Sequence, residues 1–231
     1  MRFALYFTPP ADEPLTRRAA RWLGRDAFAN TILSLSSVES LNTAERKNLV
    51  RDPARYGFHA TLKAPFALAE GKDEAGLLEA ARDFADAWPA FAIPRLVLGQ
   101  LGPFFALVPD GLYQPLQDFA AETVRRFEPF RAALSEADIA RRKPERLSPA
   151  ERENLTRWGY PYVFDEFRFH MTLTGPVEPS RQETVRRHLD AEFSGFTEKP
   201  LALSHLAVFV EEERGAPFGV RAIFPLQEVR P

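Results

Sequence analysis

"YGFHATLKAP" at 56–65 and "FRFHMTLTGP" at 167–176 carry one phrase, His-x-Thr-Leu-x-x-Pro, twice in a single chain. The first copy is His59, Thr61, Leu62 and Pro65; the second is His170, Thr172, Leu173 and Pro176. Alternation of apolar and polar residues predicts that both copies lie on β-strands. In the second, Phe167, Phe169, Met171 and Leu173 share one face, while Glu166, Arg168, His170, Thr172 and Thr174 share the other. In the first, Tyr56, Phe58, Ala60 and Leu62 oppose Gly57, His59, Thr61 and Lys63. The apolar face packs on a core. The polar face holds an imidazole and a hydroxyl side by side and looks into solvent or a cleft. Each proline is expected to end its strand.

The repetition runs well beyond the phrase. "LNTAERKNLVRD" (41–52) and "LSPAERENLTRW" (147–158) agree at seven of twelve positions. Their offset is 106 residues, against 111 between His59 and His170, and five extra residues within "GYPYVFDE" account for the difference. Upstream, "FALYFTPP" (3–10) resembles "FALVPDG" (105–111), and "PLTRRAARWLG" from Pro14 resembles "PLQDFAAETVRRF" from Pro115. Downstream, "FAIPRLVLG" (91–99) matches "LALSHLAVF" (201–209) in type and position. Helical spacing joins Leu15, Ala19, Trp22 and Leu23, and again Leu116, Phe119, Ala120, Val124 and Phe127. Ser148-Pro149-Ala150-Glu151 reads as a capping box with proline at the first helical position. A last strand at 220–226 is expected to form a hairpin with 203–210.

The expected class is therefore α+β, a single bilobal and internally duplicated domain over 1–231. Its lobes run roughly 1–102 and 103–231, with two antiparallel-type sheets and flanking helices around a central cleft. Composition agrees with a folded chain of this size: 45% hydrophobic, 27% charged, and 20 Phe against 2 Met, which predicts a core of rigid aromatic plates. The formal charge of -2 offers no general attraction to a long nucleic acid, although the mostly arginine cations could line a local groove. The absence of cysteine excludes disulfides, zinc-thiolate sites and cysteine nucleophiles. No apolar run has the length of a membrane span and the N-terminal one is too short for a signal peptide, so a soluble cytoplasmic protein is expected.

Two strands of this kind, brought together by an internal two-fold, would surround one point with two histidines and two threonines. An imidazole with a pKa near 6.5 serves as acid or base around neutrality. Two of them on opposite sides of a phosphorus suit in-line displacement. One takes a proton from the attacking oxygen and the other protonates the leaving oxygen. Threonine hydroxyls can donate to the non-bridging oxygens. His59, Thr61, His170 and Thr172 are thus the candidate catalytic set. Lys63, Arg168 and Thr174 share their faces and are candidate substrate contacts, as is Tyr6, which with Thr8 alternates against Leu5 and Phe7. The pattern needs no metal or other cofactor: each strand offers one good ligand, and the first motif's polar face carries no carboxylate. Tyr160 and Tyr162, in the expansion before the second motif, either stack on a substrate ring or pack on their lobe.

Paired His-x-Thr motifs in a duplicated chain resemble the 2H phosphoesterase superfamily. "RYGFHATLKAPF" and "WGYPYVFDEFRFHMTLTGP" are similar to a bacterial branch of it whose genes carry a phosphonate-metabolism label. The likeness covers nearly the whole chain. It implies a bilobal fold, a central cleft and metal-independent hydrolysis of a cyclic phosphodiester, with catalysis carried onto His59, Thr61, His170 and Thr172. The substrate class would be a small cyclic nucleotide, a sugar phosphate or an RNA end, with no membrane and no obligate protein partner. A non-catalytic nucleotide-binding module, and a ligase or phosphotransferase running the reverse chemistry, remain the alternatives.

Overall fold

The computed structural model describes residues 1–35 and 41–228. The first repeat opens with strand β1 (Arg2–Phe7), helix α1 (Pro14–Leu23) and the short paired strands β2 (Arg25–Asp26) and β3 (Thr31–Ile32). It continues through α2 (Thr43–Tyr56), β4 (Ala60–Phe66), α3 (Glu74–Ala87) and β5 (Phe91–Leu101). The second supplies β6 (Phe104–Pro109), α4 (Gln114–Phe127), the short α5 (Glu136–Arg141), α6 (Pro149–Trp158) and β7 (Met171–Thr172). It ends with α7 (Gln182–Phe193), β8 (Lys199–Leu203), β9 (His205–Glu211) and β10 (Gly219–Pro225).

Local signals set the ends of the two motif-bearing helices. Asn42 Oδ1 accepts from the Glu45 N–H at 2.9 Å to start α2. The expected capping box starts α6: Ser148 Oγ accepts from the Glu151 N–H at 3.1 Å, and the Glu151 carboxylate accepts from the Ser148 N–H at 2.7 Å. Both helices stop at a glycine with positive φ, Gly57 at 76° and Gly159 at 76°.

The α+β class holds. The two expected strand groups are present, but they meet edge to edge in one antiparallel sheet of order β10-β9-β1-β4-β7-β6-β5-β8. A single pair, Ala60 with Met171, joins them. Ala60 and Met171 lie 111 residues apart, and Ala92, which pairs with Ala202, lies 110 residues from its partner. At both places a residue meets its own counterpart in the repeat, as an internal two-fold requires.

The strand groups are not contiguous in sequence. β5 belongs to the first repeat but pairs with β6 and β8, while β9 and β10 return to β1. The single strand expected at 201–209 therefore divides at Ser204, its two parts serving different groups. A boundary near 102 falls inside the β5–β6 hairpin, whose two-residue turn places Gly102 at φ 57°. The expected final hairpin is β9–β10.

The helices cover one face in two pairs. Phe84 of α3 lies 5.7 Å from Phe119 and 5.7 Å from Phe127 of α4, and Trp22 of α1 meets Phe193 of α7 edge-on at 6.3 Å. Phe3, Phe7 and Phe105 are fully buried beneath them, so the aromatic core is as expected. The opposite face of β1 and β9 carries Tyr6 and Phe209, with Phe218, just before β10, packed on them. That second face holds the histidines.

Candidate active site

Each histidine is placed by the chain immediately before its strand. Gly57 ends α2, and its carbonyl accepts from His59 Nδ1 at 2.9 Å. A side chain there is doubly barred: φ is positive, and a Cβ would stand 2.5 Å from the Ala27 methyl. In the second copy the Arg168 carbonyl binds His170 Nδ1 at 2.7 Å. Gly57 and Arg168 are counterparts, so what the repeat keeps is the carbonyl. A carbonyl only accepts, so Nδ1 carries the proton in both rings and Nε2 is the free base. His59 Nε2 in turn lies 3.2 Å from Thr61 Oγ1, whose hydroxyl donates to it. The Thr172 hydroxyl has no hydrogen-bond partner among the described residues.

The two rings differ in what supports them. Tyr6 stacks flat on His59, centroids 3.9 Å apart and planes at 24°. Register shows the reason: Tyr6 faces Thr61 across β1, whereas Ala106 faces Thr172 across β6. This corrects the alignment of 3–10 with 105–111 by two residues, since Tyr6 corresponds to Ala106 and Leu5 to Phe105. Burial lowers the His59 pKa to about 4, against the Gly57 hydrogen bond, which raises it; the nearby charge of His170 lowers it further. Burial also lowers the His170 pKa, less far, with the Arg168 carbonyl opposing. Burial raises the Tyr6 phenol well above its ordinary value, so it stays protonated.

His59, just before β4, and Thr172, on β7, line one open cavity of about 250 Å³ together with Tyr56 and Phe104. The Phe104 ring lies 6.0 Å from His170. The two motifs adjoin at the β4–β7 seam, but of the four expected catalytic residues only His59 and Thr172 line this cavity; Thr61 and His170 do not. Of the four expected substrate contacts only Thr174 lines the cavity; Lys63, Arg168 and Tyr6 do not. Lys63 is 3% exposed and turned into the core, where its Nζ bonds the Glu128 carboxylate at 2.6 Å and the Val124 carbonyl at 3.3 Å. A β-bulge causes this: Thr61 faces Tyr6 but Lys63 faces Leu5, so Leu62 and Lys63 both turn to the core side. The Leu173 and Thr174 N–H groups share the Phe105 carbonyl at 2.9 and 3.2 Å, the same bulge in the second copy. Thr174 lines the cavity, but its hydroxyl accepts from the Phe105 N–H at 2.9 Å and is 1% exposed.

Arg168 is exposed, and its guanidinium donates to the carbonyls of Asp165 and Phe167, both at 2.7 Å, closing its own loop. Tyr6, 1% exposed, supports His59 from below and is not a surface of the cavity. Tyr56 and Phe104 were not singled out by the pattern. Tyr56 closes α2 one residue before the required glycine, which is its only signal. Phe104 becomes visible only from the β6 register. Pro65 sits one residue inside β4 and does not end it. Among the described residues no group of three His, Cys, Asp or Glu stands close enough to hold a metal, and no helix is long and apolar enough to cross a membrane.

A family profile described as "Protein of unknown function (DUF1045)" matches residues 61–219. Two curated relatives, both named "Ribose 1,5-bisphosphate phosphokinase PhnN", are similar over 94% of the chain. The one from Janthinobacterium sp. (strain Marseille) is 36% identical over 49% of its own length, and the one from Laribacter hongkongensis (strain HLHK9) is 38% identical over 50%. The chain thus spans about half the length of these relatives. Among solved structures, "Crystal structure of phosphoesterase" aligns with 98% of this chain and 98% of its own at a TM-score of 0.43 and 14% identity. E. coli LigT complexed with NADP+ aligns with 98% of this chain and 97% of its own, also at 0.43 and 14%.

Proposed function

The chain belongs to the DUF1045 family, and within it we propose a phosphoesterase that opens a cyclic phosphodiester by two-histidine acid–base catalysis. The observation that supports this most is the matched pair of imidazoles. Each has Nδ1 fixed by a backbone carbonyl two residues back, and the two strands meet at a two-fold seam. His59, with the lower pKa, is the base: its Nε2 is unprotonated at any pH above about 4. It removes a proton from water as the oxygen attacks phosphorus. His170, whose pKa falls less far, is the acid. In its protonated form it gives the Nε2 proton to the ester oxygen as that P–O bond breaks. One P–O bond forms and one breaks, and the product is a phosphomonoester with a neighbouring hydroxyl. Thr172, unengaged among the described residues, donates to a non-bridging oxygen, and Thr61 orients His59.

A phosphorylated sugar or a small nucleotide is the substrate class this reading favours. The relatives' name concerns a ribose bisphosphate, which agrees with a sugar phosphate. Their kinase activity is not carried over, because no G-x-x-x-x-G-K-[ST] loop occurs in this sequence. The test is turnover of adenosine 2′,3′-cyclic phosphate and of ribose cyclic phosphates with EDTA present. His59→Ala and His170→Ala should each lower kcat by about 10²–10⁴. Full turnover by either variant removes that histidine from the scheme, and loss of wild-type activity under chelation removes the metal-independent mechanism.

A further inference from the structure

A second, larger cavity of about 520 Å³ adjoins the first, and the Tyr56 ring lines both. It is walled by cations: Arg2, Arg55, Arg141, Arg142 and Arg214. Only two carboxylates answer them among the described residues. Glu211, fully buried, accepts from Arg2 and Arg55, each at 2.5 Å. Asp138 pairs with both Arg141 and Arg214. Arg142 has no carboxylate partner among the described residues, and its guanidinium lies 4.8 Å over the Tyr160 ring. Five guanidiniums against two carboxylates leave a net charge of +3 on a concave wall, in a protein whose overall formal charge is -2.

The wall is also preorganised. Glu211 holds two guanidiniums in place from beneath, and Tyr56 is stacked on Phe218 at 5.2 Å and 19°. Forked guanidiniums held this way suit a phosphate dianion better than any neutral group. Arg2 lies on the same face of β1 as Tyr6, and both Arg2 and Arg142 act on the Tyr6 phenol, so this charge stands beside His59.

We propose that this arginine-lined cavity is a second anion subsite, holding a phosphomonoester that the substrate carries away from its reacting phosphorus. The proposal rests on the phosphoesterase reading for its substrate, but not for its anion. A substrate of this class has two phosphates on one small sugar: a cyclic diester at the histidines and a terminal monoester at the arginines. Tyr56 forms the shared wall against which the intervening ring lies.

Two measurements test it separately. Isothermal titration with inorganic pyrophosphate reads the subsite alone: Arg142→Ala, an exposed position, should weaken binding at least tenfold, and Arg142→Lys less. The second compares adenosine 2′,3′-cyclic phosphate with and without a 5′-phosphate. In the wild type the 5′-phosphate should raise kcat/KM at least tenfold, and in Arg142→Ala that ratio should fall toward one. Pyrophosphate binding equally well to Arg142→Ala, or a wild-type ratio below two, overturns the subsite. If neither nucleotide is turned over, the phosphoesterase reading fails and the titration alone decides the subsite.

Discussion

The two half-sites share a scaffold and differ in what surrounds it. Each has a strand with a bulge that begins three residues past its histidine, a carbonyl on Nδ1 and a helix of the other repeat packed behind it. In the first, Lys63 reaches from the bulge to the α4 carbonyl of Val124 and to Glu128. In the second, the link runs the other way: Trp22 of α1 donates its indole N–H to the Leu173 carbonyl at 2.8 Å. The first imidazole rests on the Tyr6 ring, and the second has only the Ala106 methyl at the matching position. Duplication therefore conserves the chemistry of the backbone and lets the side chains diverge. One ring becomes stiff and neutral and the other stays more open, which is the asymmetry an acid–base pair needs.

The sharpest way to break the comparison is at the two helix links. Glu128 is shared by Lys63 at 2.6 Å and Arg131 at 2.6 Å, so Glu128→Gln leaves a buried ammonium without its counter-charge. Such a loss costs about 3–5 kcal/mol. Trp22→Phe removes a neutral donor from a buried carbonyl, which should cost about 2 kcal/mol, and the smaller ring also gives up packing on Phe193 and Arg46, which adds to that cost. Urea unfolding of both variants measures the difference. Equal losses would mean that the two halves are tied to their helices alike.

The threonines come next. Thr61 is engaged by His59, whereas Thr172 is unengaged among the described residues and lines the cavity. Thr172→Val should lower kcat about 10²-fold, as loss of a transition-state donor does. Thr61→Val, which only frees the His59 ring, should lower it about tenfold, at the weak end of what positioning contributes. The reverse order would exchange the roles assigned to the two half-sites.

Much of this site is legible in the sequence, and what is not has a common cause. His59, Thr61, His170 and Thr172 follow from alternation and repetition, which are local. So does the Ser148 capping box, whereas Tyr56 and Gly57, which alternation puts on the strand, end helix α2 instead. Alternation puts Lys63 on the cleft face, but one extra residue in a strand inverts every later side chain, and a bulge has no signature in alternation. The division at Ser204 is invisible for a similar reason: "LALSHLAVF" reads as one strand, and only pairing partners a hundred residues away show that it serves two groups. Long-range register is settled by packing, and the repeat hides it further by offering the wrong match, Phe3 with Phe105.

The smallest expected effect bears most directly on the Tyr6 ring beneath His59. Its folded pKa of about 4 lies below the value of about 6.5 that it takes in the unfolded chain. Between those values the unfolded chain binds a proton that the folded protein does not, so this contribution is complete above pH 6.5 and is lost as pH falls toward 4. Going from pH 7 to 5.5 it should cost about 1 kcal/mol, and His59→Gln should remove that part of the acid slope. The ring's own NMR titration gives the direct reading, with a midpoint near 4 in the wild type. Tyr6→Ala gives His59 the surroundings of His170, and the midpoint should then rise toward that of His170. If it stays where it was, desolvation by Tyr6 is not what separates the two histidines, and the assignment of base and acid loses its physical ground.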